Sequence, residues 1–405
     1  MPFLKRRTTE LAEPPALVDD QLSEVDAPPV TPATERRPVA REAPKRRRQS
    51  RSSLLLATVF AVLIIAATVL GTWLASRDDG AVEAGAVSGV VPQPTSTLLV
   101  VEDGEGRAVS LSLLLDNDAG DRSLFVLPPS LSIQLPGYGD GLLADASVIE
   151  GANLTELALI NELGIRIDQT VVISSGDVAR LLGGPIRITL PNPFIVETSD
   201  GGVVTAAAGT DFFVPATAET LLITQGPDST LEWLQRQRAV WEALAGHLGE
   251  NPSFGSAVPG VEELAPHMAG ALVTVLPIDR VGTGSSELYV LARNGGLLAE
   301  RIAPFALSAS GRPRIEILNG TRVPGVTRPL AETLIRKGFR VVKTDNAQLG
   351  TQVTTLVIAQ GVPNQQAALD VVAELGVGDI VVETTGSSVV DVSIIVGRDL
   401  SDSAG

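Results

Sequence analysis

The stretch SLFVLPPSLSIQLPG, residues 123–137, contains two apolar segments joined by Pro128-Pro129-Ser130. The first segment is continuously apolar, and the second alternates apolar and polar residues from 131 to 135. Because proline has no N–H to donate to a sheet ladder, this pattern predicts a strand that leaves its sheet at a fixed elbow. Active sites in α/β enzymes often lie at strand ends, yet this elbow offers one hydroxyl, that of Ser130, and no charge. The stretch therefore predicts either an active site or a backbone framework of an active site that lacks its charged residues.

Strand and helix patterns alternate on both sides of this elbow. TLLVVED (97–103) is an apolar run of strand length. Downstream, a helix is predicted with Asn153 as its N-cap and Glu156 three positions later, and a longer helix is predicted to start at a capping box formed by Ser229 and Glu232. Strands that alternate with helices predict an α/β sandwich with a mixed sheet.

The long helix has one apolar and one polar side. Leu231, Leu234 and Trp241 recur at helical spacing and are expected to face the core. Arg236 and Arg238 fall on the other side, where a solvated surface is the simplest interpretation and an anion site is the alternative.

Charge is distributed unevenly along the chain. Of 405 residues with a formal net charge of −16, residues 1–52 hold 11 Lys/Arg and 8 Asp/Glu, which leaves a net charge of −19 for the remainder. An acidic body argues against nucleic acid as a partner, because phosphates require a concentrated basic patch. With no cysteine and two histidines, the sequence excludes disulfides and thiolate sites and argues against a histidine metal centre. No metal site is predicted from the residues themselves.

Residues 54–75, LLLATVFAVLIIAATVLGTWLA, form the strongest single signal in the sequence. These 22 residues carry no charge, and about 20 apolar residues suffice to cross a bilayer core of roughly 30 Å. The preceding flank is KRRRQSR (45–51) and the following flank is SRDDG (76–80), so the positive-inside rule places the N-terminus in the cytoplasm. The sequence therefore predicts a single-pass cell-membrane protein whose acidic body is extracytoplasmic.

Composition shifts along the chain predict its domain organisation. The predicted parts are a disordered cytoplasmic tail (1–52), a transmembrane helix (53–76), a linker (77–95), an extracytoplasmic α/β domain (96–307), a second linker (308–313) and a C-terminal domain (314–400). The tail is assigned as disordered because it is rich in Pro, Glu and Arg and has no apolar periodicity.

Residues 314–400 predict a small domain with the order β-α-β-β-α-β. RIEILNG begins it, and the helix in RPLAETLIRKG has Pro329 in its first turn and Leu330 and Leu334 on its apolar face. NQQAALDVVAELG supplies the second helix and VDVSIIVG the last strand. This order predicts a ferredoxin-like plan, in which two helices cover one face of the sheet.

The order of segments in the first domain resembles that of the LytR-CpsA-Psr family. The resemblance covers about residues 96 to 250 and is carried by TLLVVED, SLFVLPPSLSIQLPG, LTELALINELGIRIDQTVVIS, VARLLGGPIRITLPNP and DSTLEWLQRQRAVWEAL. It implies an α/β fold that holds a polyprenyl tail in an apolar pocket. It also implies a membrane-anchored bacterial enzyme that transfers a glycopolymer from a polyprenyl-pyrophosphate carrier to peptidoglycan, with Mg²⁺.

The residues that this family uses for pyrophosphate are largely missing here. The resemblance implies an Arg and an Asp in the second strand, where this chain keeps Arg107 and lacks the Asp. It implies Arg and Asp at the end of the third strand, where Pro129 and Ser130 stand. Near the last helix, Asp228 and Gln235 match the residues that the resemblance implies at those positions. These five residues are predicted to mark a degenerate pocket without catalytic residues, because Arg forks and metal-binding carboxylates are what a pyrophosphate needs.

The C-terminal segment resembles the LytR C-terminal domain. IEILNGTRVPGVTRPLAETLIRKGF, TTLVIAQG and VDVSIIVGRDL carry the resemblance, which covers most of residues 313–400. It implies a binding or interaction role at the cell wall.

These observations predict a membrane-anchored cell-envelope protein that is a non-catalytic relative of the transferases. Expected partners are the membrane, and a polyprenyl-phosphate lipid, a cell-wall polymer or another envelope protein. Two alternatives stay open: an active phosphotransferase that uses Mg²⁺, and a scaffold of the cell-wall synthesis or division machinery. No cofactor is expected unless the transferase alternative holds.

Overall fold

A computed structural model of the chain describes residues 94–403, apart from 118–119, 198–200, 283–287, 293–295, 309–310, 349, 385 and 387–388. The predicted tail (1–52), transmembrane helix (53–76) and nearly all of the first linker (77–95) lie outside the described residues. Among the helices of the described part, none has the length and apolar character needed to span a bilayer.

The described part of the chain contains both strands and α-helices, with up to five strands in succession. The strands are β1 Thr95–Glu102, β2 Ala108–Asp116, β3 Arg122–Leu127, β4 Ser132–Leu135, β5 Gly139–Leu142, β6 Gln169–Ser174, β7 Ile186–Leu190, β8 Phe194–Glu197, β9 Val203–Ala206, β10 Gly209–Phe213, β11 Leu272–Val275, β12 Ile278–Val281, β13 Leu288–Leu291, β14 Arg314–Asn319, β15 Arg340–Asn346, β16 Leu356–Gln360, β17 Asp379–Glu383 and β18 Val392–Val396. The α-helices are α1 Leu143–Glu150, α2 Ala152–Leu163, α3 Ser175–Leu182, α4 Pro215–Ile223, α5 Thr230–Glu250, α6 Val261–Met268, α7 Gly296–Ile302, α8 Thr327–Arg336, α9 Gln365–Leu375 and α10 Arg398–Ser403.

The first sheet is mixed, which confirms the prediction for this part of the chain. Its strand order is β11-β3-β2-β1-β6. The central three strands are antiparallel, while β6 runs parallel to β1 and β11 runs parallel to β3. β3 and β4 belong to different sheets, because β4 pairs with β5 in a two-stranded sheet of its own. The predicted elbow is therefore confirmed.

Each face of the first sheet is covered by helices. Leu98 and Val100 of β1 point into one apolar layer with α1 and α2, whereas Leu99 and Val101 point into a second layer with α3, α4, α5 and α6. All four side chains are at most 1% exposed. A strand buried on both faces reads as a continuous apolar run, which is why TLLVVED lacks alternation.

Two details of the predicted helices are wrong. α2 begins at Ala152 with Gly151 as its N-cap and no side-chain cap, so Asn153 does not cap it. Leu231 is 48% exposed in the first turn of α5, whereas Leu234 and Trp241 are buried as predicted. The capping box that begins α5 is confirmed.

The C-terminal segment is α/β, but the ferredoxin-like plan is wrong. Its sheet has the order β15-β14-β18-β16-β17, with β14 parallel to β15 and β18, β16 parallel to β17, and β16 antiparallel to β18. In a ferredoxin-like sheet another strand separates the two strands of each βαβ unit, whereas here both units have adjacent strands. The sequence prediction also missed β17, a half-exposed strand that follows α9.

Residues on both sides of the predicted 308–313 linker share one core. Leu157 of α2 and Leu334 of α8 belong to the same cluster of buried side chains. Arg312 donates from Nη1 to the carbonyl of Asn161 at 2.8 Å and from Nη2 to the carbonyl of Phe339 at 3.0 Å. Burial lowers the pKa of Arg312 to about 10, so this guanidinium remains charged at neutral pH.

Polar contacts reinforce the same junction. The side chain of Asn161 accepts from the N–H of Val341 at 2.9 Å and donates to its carbonyl at 2.7 Å, which ties α2 to β15. Three ion pairs also bridge α1 or α2 to the C-terminal segment: Arg340–Glu162, Arg336–Glu156 and Arg328–Glu150.

Candidate functional site

The elbow after β3 packs against the first turn of α1. The N–H of Ala144 donates to the carbonyl of Pro129 at 2.9 Å, and the N–H of Leu143 donates to the carbonyl of Leu131 at 2.8 Å. The first N–H groups of a helix have no partner within it, so the elbow satisfies two of them. Pro128 and Pro129 are both buried. The elbow thus has a structural role that requires no charged side chain.

Ser130 is the one hydroxyl at the elbow, as the sequence indicates. Its Oγ is buried and has no hydrogen-bond partner among the described residues. A serine nucleophile requires a base within hydrogen-bond reach. The described residues give Ser130 no such neighbour.

Arg107 lies close to the elbow because it contacts the same helical turn. Its Nη1 donates to Oδ1 of Asp145 in α1 at 2.9 Å. Next to it, the N–H of Ala108 donates to Oγ of Ser147 at 2.8 Å, which fixes the start of β2 on α1. The charge of Arg107 is therefore matched by Asp145. This carboxylate was missed by sequence reasoning because α1 was not predicted, although LADASVIE has an acidic residue in its first turn, as helix starts favour.

Asp228 and Gln235 lie elsewhere. They belong to the start of α5, which packs in the apolar layer on the opposite face of the first sheet from α1. Asp228 forms an ion pair with Arg236, and exposed Gln235 accepts from Nε of Arg238 at 3.3 Å. The five predicted pocket residues therefore form two separate groups. Arg107, Pro129 and Ser130 lie beside the first turn of α1, and Asp228 and Gln235 lie at the start of α5.

Arg236 is buried, so the expectation of a solvated side chain is wrong. It is 3% exposed, and its Nε donates to the carbonyl of Leu221 at 3.0 Å. Nη2 donates to the carbonyls of Thr224 and Gln225, and the guanidinium lies 3.9 Å from the centre of the Phe194 ring. Burial lowers its pKa to about 10. The group joins the end of α4 to the start of α5.

The residues at the elbow do not fit a magnesium ion. Mg²⁺ is normally held by one or two carboxylates together with substrate phosphates. The carboxylate beside the elbow, Asp145, is already paired with Arg107. Within the described part of the chain, no three His, Cys, Asp or Glu side chains are grouped closely enough to hold a metal ion.

Comparisons with solved structures return proteins of low sequence identity. Bacillus subtilis TagV is 15% identical, with a TM-score of 0.43, over 51% of this chain and 94% of that chain. A LytR-Csp2A-Psr enzyme from Actinomyces oris is 20% identical, with a TM-score of 0.42, over 52% of this chain and 90% of that chain. Bacillus subtilis TagT is 18% identical, with a TM-score of 0.42, over 53% of this chain and 92% of that chain. No curated protein matches the sequence significantly.

A family model matches the C-terminal segment directly. It covers residues 312–400, which include Arg312 and all of β14 to β18. The predicted resemblance of this segment is thereby confirmed. Residues 312–400 of this chain match the model of the LytR_C family, described as LytR cell envelope-related transcriptional attenuator.

Proposed function

We propose that this chain is an extracytoplasmic cell-envelope protein, anchored by residues 53–76, that binds cell-wall polymer without transferring it. The LytR_C domain at residues 312–400 supports the envelope assignment. The resemblance of residues 96–250 to LytR-CpsA-Psr enzymes supports descent from a polymer transferase.

One observation carries the non-catalytic part of this proposal. Pro129 and Ser130 stand where the resemblance implies an Arg and an Asp, and the remaining cation, Arg107, is matched by Asp145. Transfer from a pyrophosphate carrier requires cations on the phosphates and a metal that neutralises the leaving group. The elbow supplies neither, while its backbone is used to hold α1.

The test compares transfer with binding, using the full chain in detergent. The full chain is incubated with a polyprenyl-pyrophosphate-linked saccharide and Mg²⁺, and an active LytR-CpsA-Psr enzyme is incubated in the same way as the positive control. We expect no release of polyprenyl phosphate above the protein-free level. Release that depends on both this chain and Mg²⁺ would establish the transferase alternative instead.

Binding is measured by sedimentation with purified bacterial cell walls. We expect the chain to pellet with intact walls and to remain soluble when the attached glycopolymers have been removed beforehand. Equal pelleting with both preparations would contradict polymer binding. Retention of a membrane partner by residues 1–52 alone, with no wall binding by the full chain, would favour the scaffold alternative.

A further inference from the structure

A cleft of about 670 Å³ lies at the carboxyl ends of β14 and β15. Its walls are the turn at Gly137-Tyr138, the loop that follows Asn319, and residues 344–348 at the end of β15. Ligands of α/β proteins commonly bind beyond the carboxyl ends of parallel strands, because loops there leave an open crevice. β14 and β15 are parallel neighbours.

The loop after β14 is held in one shape by its own side chains. Oδ1 of Asn319 accepts from the N–H and the hydroxyl of Thr321, at 3.0 and 2.9 Å. Nδ2 of Asn319 donates to the carbonyl of Val323 at 2.9 Å. Between them, Arg322 has a φ of 64°, and it is the one non-glycine residue with positive φ in the described part of the chain. Such strained backbone persists where its surroundings fix it, and it clusters at ligand sites.

Arg322 places an unmatched positive charge in the cleft. Its side chain is exposed and forms no ion pair with a described residue. It lies across Gly350, where a Cβ atom would come within 2.1 Å of Nε. The acidic residue of the cleft, Asp345, lies 3.6 Å from the ammonium group of Lys343, which is closer, at 2.9 Å, to Glu316. The guanidinium is thus available for an anion from outside.

Tyr138 also lines the cleft and is its one described aromatic residue. The residue is 50% exposed, while its hydroxyl donates to Oε1 of Glu150. Glu150 in turn accepts from Nε of Arg328 at 2.9 Å, and a Cβ at Gly137 would lie 2.9 Å from Cβ of Arg328. The hydroxyl is therefore held by Glu150 of α1, which is itself paired with Arg328 of α8, while half of the residue stays exposed.

We propose that this cleft binds a polyol or sugar chain that carries negative charge. Arg322 holds the anionic group, the ring of Tyr138 packs against the apolar face of a sugar or polyol, and Thr344 and Asn346 bond to hydroxyls. Oγ of Thr344 accepts from Gln134 at 3.0 Å, which leaves its own hydrogen to donate. The inference deepens the proposed function, on which it rests, by giving the wall polymer a binding site.

The test measures binding of soluble probes to the full chain by calorimetry at low and at physiological salt. The probes are an oligo(glycerol phosphate), a hyaluronan oligosaccharide and neutral maltohexaose. We expect one of the anionic probes to bind and to weaken as salt rises, with maltohexaose at least roughly tenfold weaker. The stronger anionic probe identifies whether phosphate or uronate is the charged group.

Variants then assign the binding to the cleft. Arg322→Gly removes the guanidinium and puts at this position the residue that best adopts a positive φ, so the loop is expected to keep its backbone conformation. We expect a decrease of roughly tenfold, the usual effect of losing a charge-assisted hydrogen bond. Arg238→Gln, which removes a half-buried cation of α5 outside the cleft, is the control and should bind as the parent does. Tyr138→Phe should retain affinity, whereas Tyr138→Ala should lose it.

The possible failures are distinguishable. If the parent binds neither anionic probe, or if Arg322→Gly binds as well as the parent, the cleft proposal is wrong. If Arg322→Gly also pellets normally with cell walls, the cleft fails while polymer binding stands. If the parent binds an anionic probe but no wall preparation, the cleft stands and the proposed function fails.

Discussion

Arg236 and Arg238 show how two residues of one type, two positions apart, can differ completely in role. Arg236 bonds to the carbonyls that end α4 and pairs with Asp228, whereas Arg238 reaches Glu242 on the exposed side of α5 at 3.0 Å. Helical periodicity gives the direction in which a side chain leaves its helix. It does not reveal that another helix ends there with unpaired carbonyls.

Arg236→Ala should destabilise the fold strongly, because it leaves Asp228 and three carbonyls without their donor. We expect the free energy of unfolding to fall by about 3 kcal/mol. Urea denaturation of the full chain measures this loss. Arg238→Ala is the control and should change stability by no more than about 0.5 kcal/mol. Equal losses in the two variants would refute a structural role for Arg236.

At the scale of the elements, α2 and β15 are joined through Asn161. Asn161→Ala leaves both the N–H and the carbonyl of Val341 buried without their side-chain partner. We expect a loss of about 3 kcal/mol in unfolding free energy by urea denaturation. Asn153→Ala, at the exposed start of the same helix, should change it by at most about 0.5 kcal/mol. A tolerated Asn161→Ala would mean that the apolar core alone fixes the junction.

The starts of β14 and β18 are clasped by Arg314 and Asp391. The carboxylate of Asp391 accepts from Nη2 and from the backbone N–H of Arg314 at 2.9 and 2.7 Å. Hydrogen bonding by the Arg314 side chain lowers the pKa of Asp391. A lowered pKa in the folded state means that the stabilisation is complete above the ordinary Asp pKa and is lost as pH falls through the folded value.

Asp391→Asn should therefore cost about 1–2 kcal/mol of unfolding free energy at pH 7. The difference from the parent should shrink as pH falls below about 4, where an ordinary Asp carboxylate becomes protonated. Urea denaturation of the parent and of the variant, from pH 7 to below about pH 4, measures this difference in unfolding free energy. Asp379→Asn, at the exposed start of β17, is the control. A difference that stays constant down to strongly acidic pH would contradict a role for the ionised carboxylate.

Elements with strong local signals were predictable from the sequence. β1 and β3 are apolar runs, the elbow is set by Pro128-Pro129, and α5 begins at its capping box. α1 was missed because its N-terminal N–H groups are satisfied by the elbow carbonyls instead of a capping side chain. β17 was missed because its apolar run, Ile380 to Val382, is only three residues long and both of its ends are acidic. The sequence was enough to single out Arg107 and Asp228 as site residues. It could not show that Arg107 pairs with Asp145 and Asp228 with Arg236, because those contacts depend on how the helices pack.

For the whole molecule, the shared core predicts that the described part unfolds in one transition. Side chains from β1, α2, β14 and α8 belong to the same buried cluster, and Arg312 anchors the chain between them. Differential scanning calorimetry of the full chain should show one cooperative transition for this part. In Asn161→Ala the whole transition should shift to lower temperature. Two separate transitions in the parent would show that residues 312–400 melt independently.

The way Gly137-Tyr138 is fixed on α8 also has a kinetic consequence. Because the Gly137-Tyr138 turn and the loop after Asn319 are both held before anything enters, these two walls lose little ordering entropy on association. Capture should proceed at the speed of ordinary docking, about 10⁵–10⁷ M⁻¹s⁻¹, and respond mainly to ionic strength. Differences in residence time among polymers would then arise from how fast each one leaves.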